Sequence, residues 1–298
     1  MKKQLAGSAS LYIVGTPLGN LEDITYRAVE VLKSVPVIAC EDTRHSRKLL
    51  QRYGITARLI SCHEHNEETA ARQVIALLGS GFPVALISDA GTPGISDPGY
   101  RVVRLALERG FKVVPVPGPS ALTAALSASG LPTDCFFFAG FLPAREKALE
   151  DILRELAELR ATLIFFCPAR RIISALRKAC HVLGDRQAAL ARELTKIHEE
   201  FLRGSLSEIA AELESRDKLK GEIVLMLAGK QSKSGEAGTD LKERLENLLE
   251  GVAGSKSMGA RNLTLLAAER LGEHRNRVYP LVCAWLNKRK EDQNSQRN

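Results

Sequence analysis

Nowhere in the 298 residues is there a run of about 18 consecutive apolar side chains, so no transmembrane helix is expected. The opening residues, MKKQLAGSASLYIVG, carry two lysines but no apolar segment ahead of the first strand-like run, and do not read as a secretory signal. Cys40, Cys62, Cys135, Cys167, Cys180 and Cys283 are scattered and form no CxxC pair. That argues against a disulfide frame or a zinc site, and fits small core residues in a reducing cytoplasm. A Rossmann fingerprint is also missing. The first strand runs instead into Gly15-Thr16-Pro17-Leu18-Gly19, which lacks the G-x-G-x-x-G spacing. His63 and His65 alternate past a strand end without a third residue at ligand spacing, so no metal site is expected.

Hydrophobic residues make up 45% of the chain and charged residues 26%, which is ordinary for a globular protein. The length allows two domains with full cores. A formal net charge of +7 leans toward an anionic partner. Short apolar runs at 11–14, 35–40, 59–61, 84–87 and 112–116 alternate with helical patterns at 24–33, 70–78, 100–109 and 122–129. This βαβα rhythm predicts a mostly parallel α/β sheet. Leu131-Pro132 marks a boundary. A second alternating block follows, with strands at 162–166, 188–192 and 222–228, helices at 144–160, 172–183 and 206–214, and the pattern of a mixed sheet. The expected domains are 1–131 and 132–230, then a polar Gly/Ser linker at 231–239 and a helical tail at 240–298. The tail is mildly basic, with eleven Lys and Arg against eight Asp and Glu, and its last residues (KRKEDQNSQRN) are expected to be disordered.

The densest punctuation lies at Ile87–Gly99 (ISDAGTPGISDPG), where three glycines and two prolines exclude helix and strand alike. It reads as an ordered loop at a strand end, the place where open α/β sheets bind ligands. Pro119-Ser120-Ala121 opens another helix with small residues that admit close approach and free N–H groups for an anion. Glu41 and Asp42 follow the second strand, with Arg44 and Lys48 on the next helix, as in the wall of a polar cleft.

Six segments in order, GTPLGNLEDIT (15–25), EDTRHSRKLL (41–50), SDAGTPGISDPG (88–99), VPGPSALTAAL (116–126), FAGFLP (138–143) and KGEIVLMLAG (220–229), closely resemble the ribosomal RNA small subunit methyltransferase I family. That family belongs to the tetrapyrrole (corrin/porphyrin) methylase superfamily. The resemblance implies a two-domain α/β fold with a small helical appendage, binding S-adenosylmethionine between its domains. It implies methylation of a cytidine ribose 2′-hydroxyl in the decoding region of 16S rRNA, on naked rRNA or the 30S subunit. A homodimer is implied by the superfamily. By similarity the cofactor lies against Leu18, Thr92, Ile95, Ser120, Ala121, Phe166, Met226 and Ala228. A 2′-hydroxyl is a poor nucleophile near neutral pH, so a proton acceptor helps, and Asp42, Glu41, His63 and Asp89 are the candidates. Asp97, inside a Ser-Asp-Pro-Gly turn, reads as structural, which leaves Asp42 and its neighbours as the candidates for the base. Arg44, Arg47 and Lys48 are candidate phosphate contacts. One departure stands out. Where members read YESPHR, this chain has Phe166-Cys167-Pro168-Ala169-Arg170, without the acid and the histidine. Two other readings share these features: the same fold acting on a tetrapyrrole or a protein side chain, and a non-catalytic RNA-binding assembly factor.

Overall fold

The computed structural model describes residues 9–216, 218–230, 236–252 and 259–295. The chain divides into two compact units, residues 1–230 and 231–298. The first unit holds two five-stranded sheets.

The first sheet is built from β1 (Ser10–Val14), β2 (Val37–Cys40), β3 (Arg58–Ser61), β4 (Val84–Leu86) and β5 (Lys112–Val116), in the order β3-β2-β4-β1-β5. All its pairings are parallel. Its strands are apolar on both faces, as a sheet covered on both sides requires. On one face α1 (Tyr26–Ser34) and Leu50 of α2 (Thr43–Arg52) pack against Tyr12, Ile38 and Ala85. On the other, α3 (Glu67–Gly79) and α4 (Tyr100–Glu108) pack Val74, Leu78 and Val102 against Leu11, Ala39 and Leu86. The chain steps toward β3 through α1 and α2, then returns toward β5 through α3 and α4. Right-handed crossovers going opposite ways must use opposite faces. The reversal opens a crevice at the carboxyl ends of β2, β4 and β1.

The second sheet is mixed, with β6 (Phe136–Phe141), β7 (Thr162–Pro168), β8 (Gln187–Arg192), β9 (Glu200–Ser205) and β10 (Glu222–Leu227) in the order β6-β7-β10-β8-β9. Only β6 and β7 pair in parallel. On one face α6 (Glu146–Leu156), α7 (Ile172–Leu183) and α8 (Leu206–Glu214) bury Leu153, Leu176 and Leu213 against Phe165 and Leu190. The other face meets α5 (Ala121–Ser129), whose Ala125 and Leu126 pack on Ile164, Ala189, Val224 and Met226. Thus α5, which lies in the expected 1–131 domain, contributes to the core of the second sheet. Its run of Ala and Leu is apolar enough to be covered there.

Three expectations need correction. Strand β9 falls where the sequence suggested nothing, because an edge strand reading Glu-Phe-Leu-Arg-Gly-Ser buries only Leu202 fully and so shows no clean alternation. The expected 231–239 linker extends too far, since helix α9 (Glu236–Val252) covers its second half; residues 231–235 lie outside the described residues. The expected disorder from 288 onward is replaced through Ser295 by helix α11 (Arg275–Ser295), with 296–298 outside the described residues. In the second unit α9, α10 (Ala260–Leu271) and α11 share a small core of Leu245, Leu249, Leu263, Ala267, Val278 and Val282. Among the described residues no helix is long and apolar enough to cross a membrane.

Candidate active site

Three loops at the carboxyl ends of the parallel strands are tied together before any ligand enters. After β1 and β5, Gly15 and Gly118 come so close that a Cβ on Gly118 would sit 2.9 Å from the Gly15 carbonyl oxygen. The Thr16 N–H donates to Gly91 O at 2.8 Å, and the Gly91 N–H returns a bond to Thr16 O at 2.9 Å. The Thr16 hydroxyl donates to Ser88 O at 3.0 Å. The Thr92 hydroxyl donates to Pro119 O at 3.3 Å.

The loop after β4 is also held from behind. Helix α4 starts at Gly99, which has φ +141° and no side chain to cap the helix. The Glu67 carboxylate of α3 does that work, accepting the N–H groups of Gly99 at 2.8 Å and Arg101 at 2.9 Å. An anion at a helix N-terminus is favoured by the unpaired N–H groups there. Ser96 holds φ +62°, an uncommon conformation for a residue with a Cβ. So fixed, the loop folds back over the strand end and brings Asp97 to the same side as Asp89.

A cavity of about 580 Å³ lies between these loops and the second sheet. That is within the usual range for small-molecule sites. Of the sequence-derived positions, Leu18, Thr92, Ile95, Ser120, Ala121 and Phe166 border it, as do Glu41 and Asp89. Met226 and Ala228 do not. Met226 is fully buried beneath α5, and β10 reaches the cavity with Glu222, Ile223 and Val224 instead. The extended segment around Phe166 does contribute, through Cys167 and Pro168 as well.

Asp42, the expected proton acceptor, is otherwise engaged. Its carboxylate accepts the Arg44 N–H at 2.7 Å as the N-cap of α2, and its own N–H donates to Asp89 Oδ1 at 3.0 Å. The bond from the Arg44 amide holds its carboxyl below the ordinary range. Asp42 positions Asp89 and starts α2, and it is not part of the cavity wall. His63 is likewise off the wall, with Nδ1 buried and lacking a hydrogen-bond partner, while its N–H is held by Asn66 Oδ1 at 2.8 Å. Arg44, Arg47 and Lys48 are exposed along α2.

Asp97 is the residue that sequence reasoning set aside and the structure brings back. It is half-buried on the cavity wall, and burial raises its carboxyl to about 6, with nearby Glu41 adding and a Ser88 hydrogen bond opposing. Burial raises Glu41 as well, with Asp89 next in effect. The segment from Glu193 to Glu199, between β8 and β9, was also missed. It supplies Leu194 and Lys196 to the wall, with Lys196 Nζ 3.0 Å from Glu193 and 3.4 Å from Glu222. A lysine followed by Ile-His-Glu-Glu carries no pattern that would have marked it. Among the described residues no group of three or more His, Cys, Asp or Glu is arranged to hold a metal.

A five-stranded parallel sheet with its ligand crevice at the strand ends, facing a second mixed sheet, is the architecture of one methylase class. Residues 10–210 match the profile of the Tetrapyrrole (Corrin/Porphyrin) Methylases. The fold is similar to that of uroporphyrin III C-methyl transferase from Thermus thermophilus, with a TM-score of 0.52 and 22% identity over 74% of this chain and 97% of that one. Sequence likeness is far stronger to ribosomal RNA small subunit methyltransferase I of Micromonospora olivasterospora, 47% identical over 93% of this chain and 87% of the relative. The protein of that name from Escherichia coli O157:H7 is 45% identical over 90% of this chain and 93% of its own length. The chain belongs to the tetrapyrrole methylase family, in the branch of the ribosomal RNA small subunit methyltransferase I proteins. It is therefore a methyltransferase of a family that uses S-adenosylmethionine.

The cavity suits that cofactor. Ile95 and Phe141 are apolar yet 46% and 59% exposed beside it, which offers uncovered surface to an adenine face. Ser120 makes no side-chain cap, so the first N–H groups of α5 are open to a carboxylate. Asp89, Asp97 and Glu222 supply negative charge for a molecule that carries an ammonium and a sulfonium.

Proposed function

We propose that this enzyme methylates the ribose 2′-hydroxyl of a cytidine in 16S rRNA, as naked RNA or within the 30S subunit, in the cytoplasm and as a homodimer. The observation that carries the reading is the pairing of half-buried acids inside the cavity, Asp97 with Glu41 and Asp89, with an exposed basic helix starting at its edge. When bound, S-adenosylmethionine supplies a methyl group already activated by its positively charged sulfur. The protein's own work is to align an acceptor oxygen and take its proton. Asp97 suits proton removal best, since its raised affinity brings it nearer to neutral pH than an ordinary carboxyl while it stays ionised above about 6. Glu41 and Asp89 keep that pocket negative, and Asp42 holds Asp89 in place through its amide. Arg44, Arg47 and Lys48 face solvent, where a polyphosphate backbone can reach them. A tetrapyrrole or side-chain acceptor gives no use for that basic face. For the dimer, the support is β6, an edge strand that leaves Phe136 and Phe137 44% and 43% exposed.

Incubation with methyl-labelled S-adenosylmethionine and either 30S subunits or protein-free 16S RNA tests the reading. Nuclease mapping is expected to find the label on one ribose. Label on a base, or transfer to no RNA, refutes it; tight RNA binding without cofactor affinity would make the protein an assembly factor.

A further inference from the structure

Ile197 is 98% exposed, more than any other large apolar side chain described. It does not sit on a loose loop. The flanking residues Glu193 and Thr195 hold φ of +51° and +64°, both without being glycine. The Thr195 N–H donates to Glu199 Oε2 at 2.6 Å, and the Lys196 N–H to Glu193 O at 3.0 Å. The Glu193 carboxylate in turn accepts the Glu222 N–H at 3.0 Å and lies 3.0 Å from Lys196 Nζ. Across the cleft the Thr195 hydroxyl accepts the Asn20 N–H at 3.1 Å. A turn tied by three internal contacts and two external ones, and carrying two residues in a sparsely populated conformation, is held in place to present its apex. Its neighbours fix where that apex is: Leu194 and Lys196 line the cavity, so Ile197 stands at the rim.

We propose that Ile197 is a wedge that enters the RNA base stack and fills the place of the nucleotide drawn into the cavity. This rests on the ribose-methylation reading above. The acids that would take the proton lie inside a cavity, and a nucleotide stacked in a helix cannot bring its ribose there without leaving the stack. Enzymes that act on an extruded nucleotide pay for unstacking, and an inserted apolar side chain offsets that cost. Ile197 has the form such a wedge needs, a single apolar tip between Lys196 and His198. A subunit contact calls for contiguous apolar surface instead.

The test uses full-length enzyme and a folded small-subunit RNA fragment with 2-aminopurine beside the target nucleotide. Wild type is expected to raise the fluorescence on binding and to transfer methyl in a single turnover. Ile197→Ala should bind this RNA within threefold of wild type, yet lose the fluorescence rise and at least tenfold in transfer rate. Ile197→Met should keep both. An Ile197→Ala enzyme with the rise and rate intact overturns the wedge while leaving ribose methylation standing. So does a rate loss explained by weaker RNA or cofactor binding. A change in sedimentation mass in Ile197→Ala would assign the residue to a second copy of the chain, and also overturns the proposal. If wild type transfers methyl to no RNA, the functional reading fails and the wedge with it.

Discussion

Asp97→Asn should make this enzyme more stable and less active, with both effects tied to pH. The native carboxyl holds its proton up to about 6, against an ordinary 3.8. Below 3.8 the folded and unfolded chains are both protonated here. Between the two values only the folded chain keeps the proton, so stability falls as pH rises, and the loss is complete above about 6. The difference of roughly 2 pH units corresponds to at most ~3 kcal/mol at 1.36 kcal/mol per unit, and solvent screening of a half-buried carboxyl leaves roughly 1–2 kcal/mol of it. Asparagine preserves the shape, can still accept from Ser88, and carries no charge to bury. In thermal melts followed by circular dichroism, the variant should match wild type near pH 4. At pH 8 it should melt roughly 2–8 °C higher, using about 2–4 °C per kcal/mol for a unit of this size. Methyl transfer should meanwhile fall at least ~100-fold, the low end for loss of a proton acceptor. Wild-type activity should rise with pH through about 6. Equal melting temperatures at pH 8, or a variant as active as wild type, would refute the assignment of Asp97 as a buried acid that takes the proton.

Other perturbations test how the cavity is held. Glu67→Ala removes the carboxylate, 12% exposed, that caps α4, and should cost about 2 kcal/mol in urea unfolding, while Glu67→Gln should cost less. An unchanged midpoint would mean the cap is dispensable. Gly118→Ala drives a Cβ against the Gly15 backbone and must part the ends of β1 and β5. It should weaken S-adenosylmethionine binding at least tenfold by calorimetry, and unaltered binding would show that the two loops adjust freely. Replacing Arg44, Arg47 and Lys48 together by Ala should leave cofactor binding intact and lower the salt dependence of RNA binding by roughly 2–3 in the log–log slope. An unchanged slope would place the phosphate contacts elsewhere.

The acids show how far residue patterns reach. Glu41 directly follows β2 and Asp89 stands three residues past β4, both at the end of a parallel strand where the crevice opens. Asp42 occupies an equally suggestive position, but one residue further on the chain turns into α2. There a carboxylate is drawn to the free amides of the first turn, a local pull that spacing alone does not weigh against catalysis. Asp97 goes the other way. Its Ser-Asp-Pro-Gly context is that of a turn, and it does lie in one. Only the path of the whole loop, set by Glu67 from a distant helix, decides that this turn faces the cavity. Met226 was misplaced for a related reason. Strand alternation puts it on the same face as Val224, and both pack under α5, but only Val224 also reaches the cavity edge.

The order of residues alone settles only what is local and repetitive. It set the βαβα rhythm, the breaks at Gly and Pro, the loops that must sit at strand ends, and through their combined order the methylase family. These follow from backbone sterics and the burial of periodic apolar faces, which act over a few residues. The tertiary structure alone decided which sheet α5 covers, that β9 closes the second sheet, and that Lys196 and Asp97 meet Glu41 and Asp89 around one cavity. Those outcomes depend on residues dozens to more than a hundred positions apart being brought within a few ångströms. The burial that changes a carboxyl's affinity for its proton exists only once they are together.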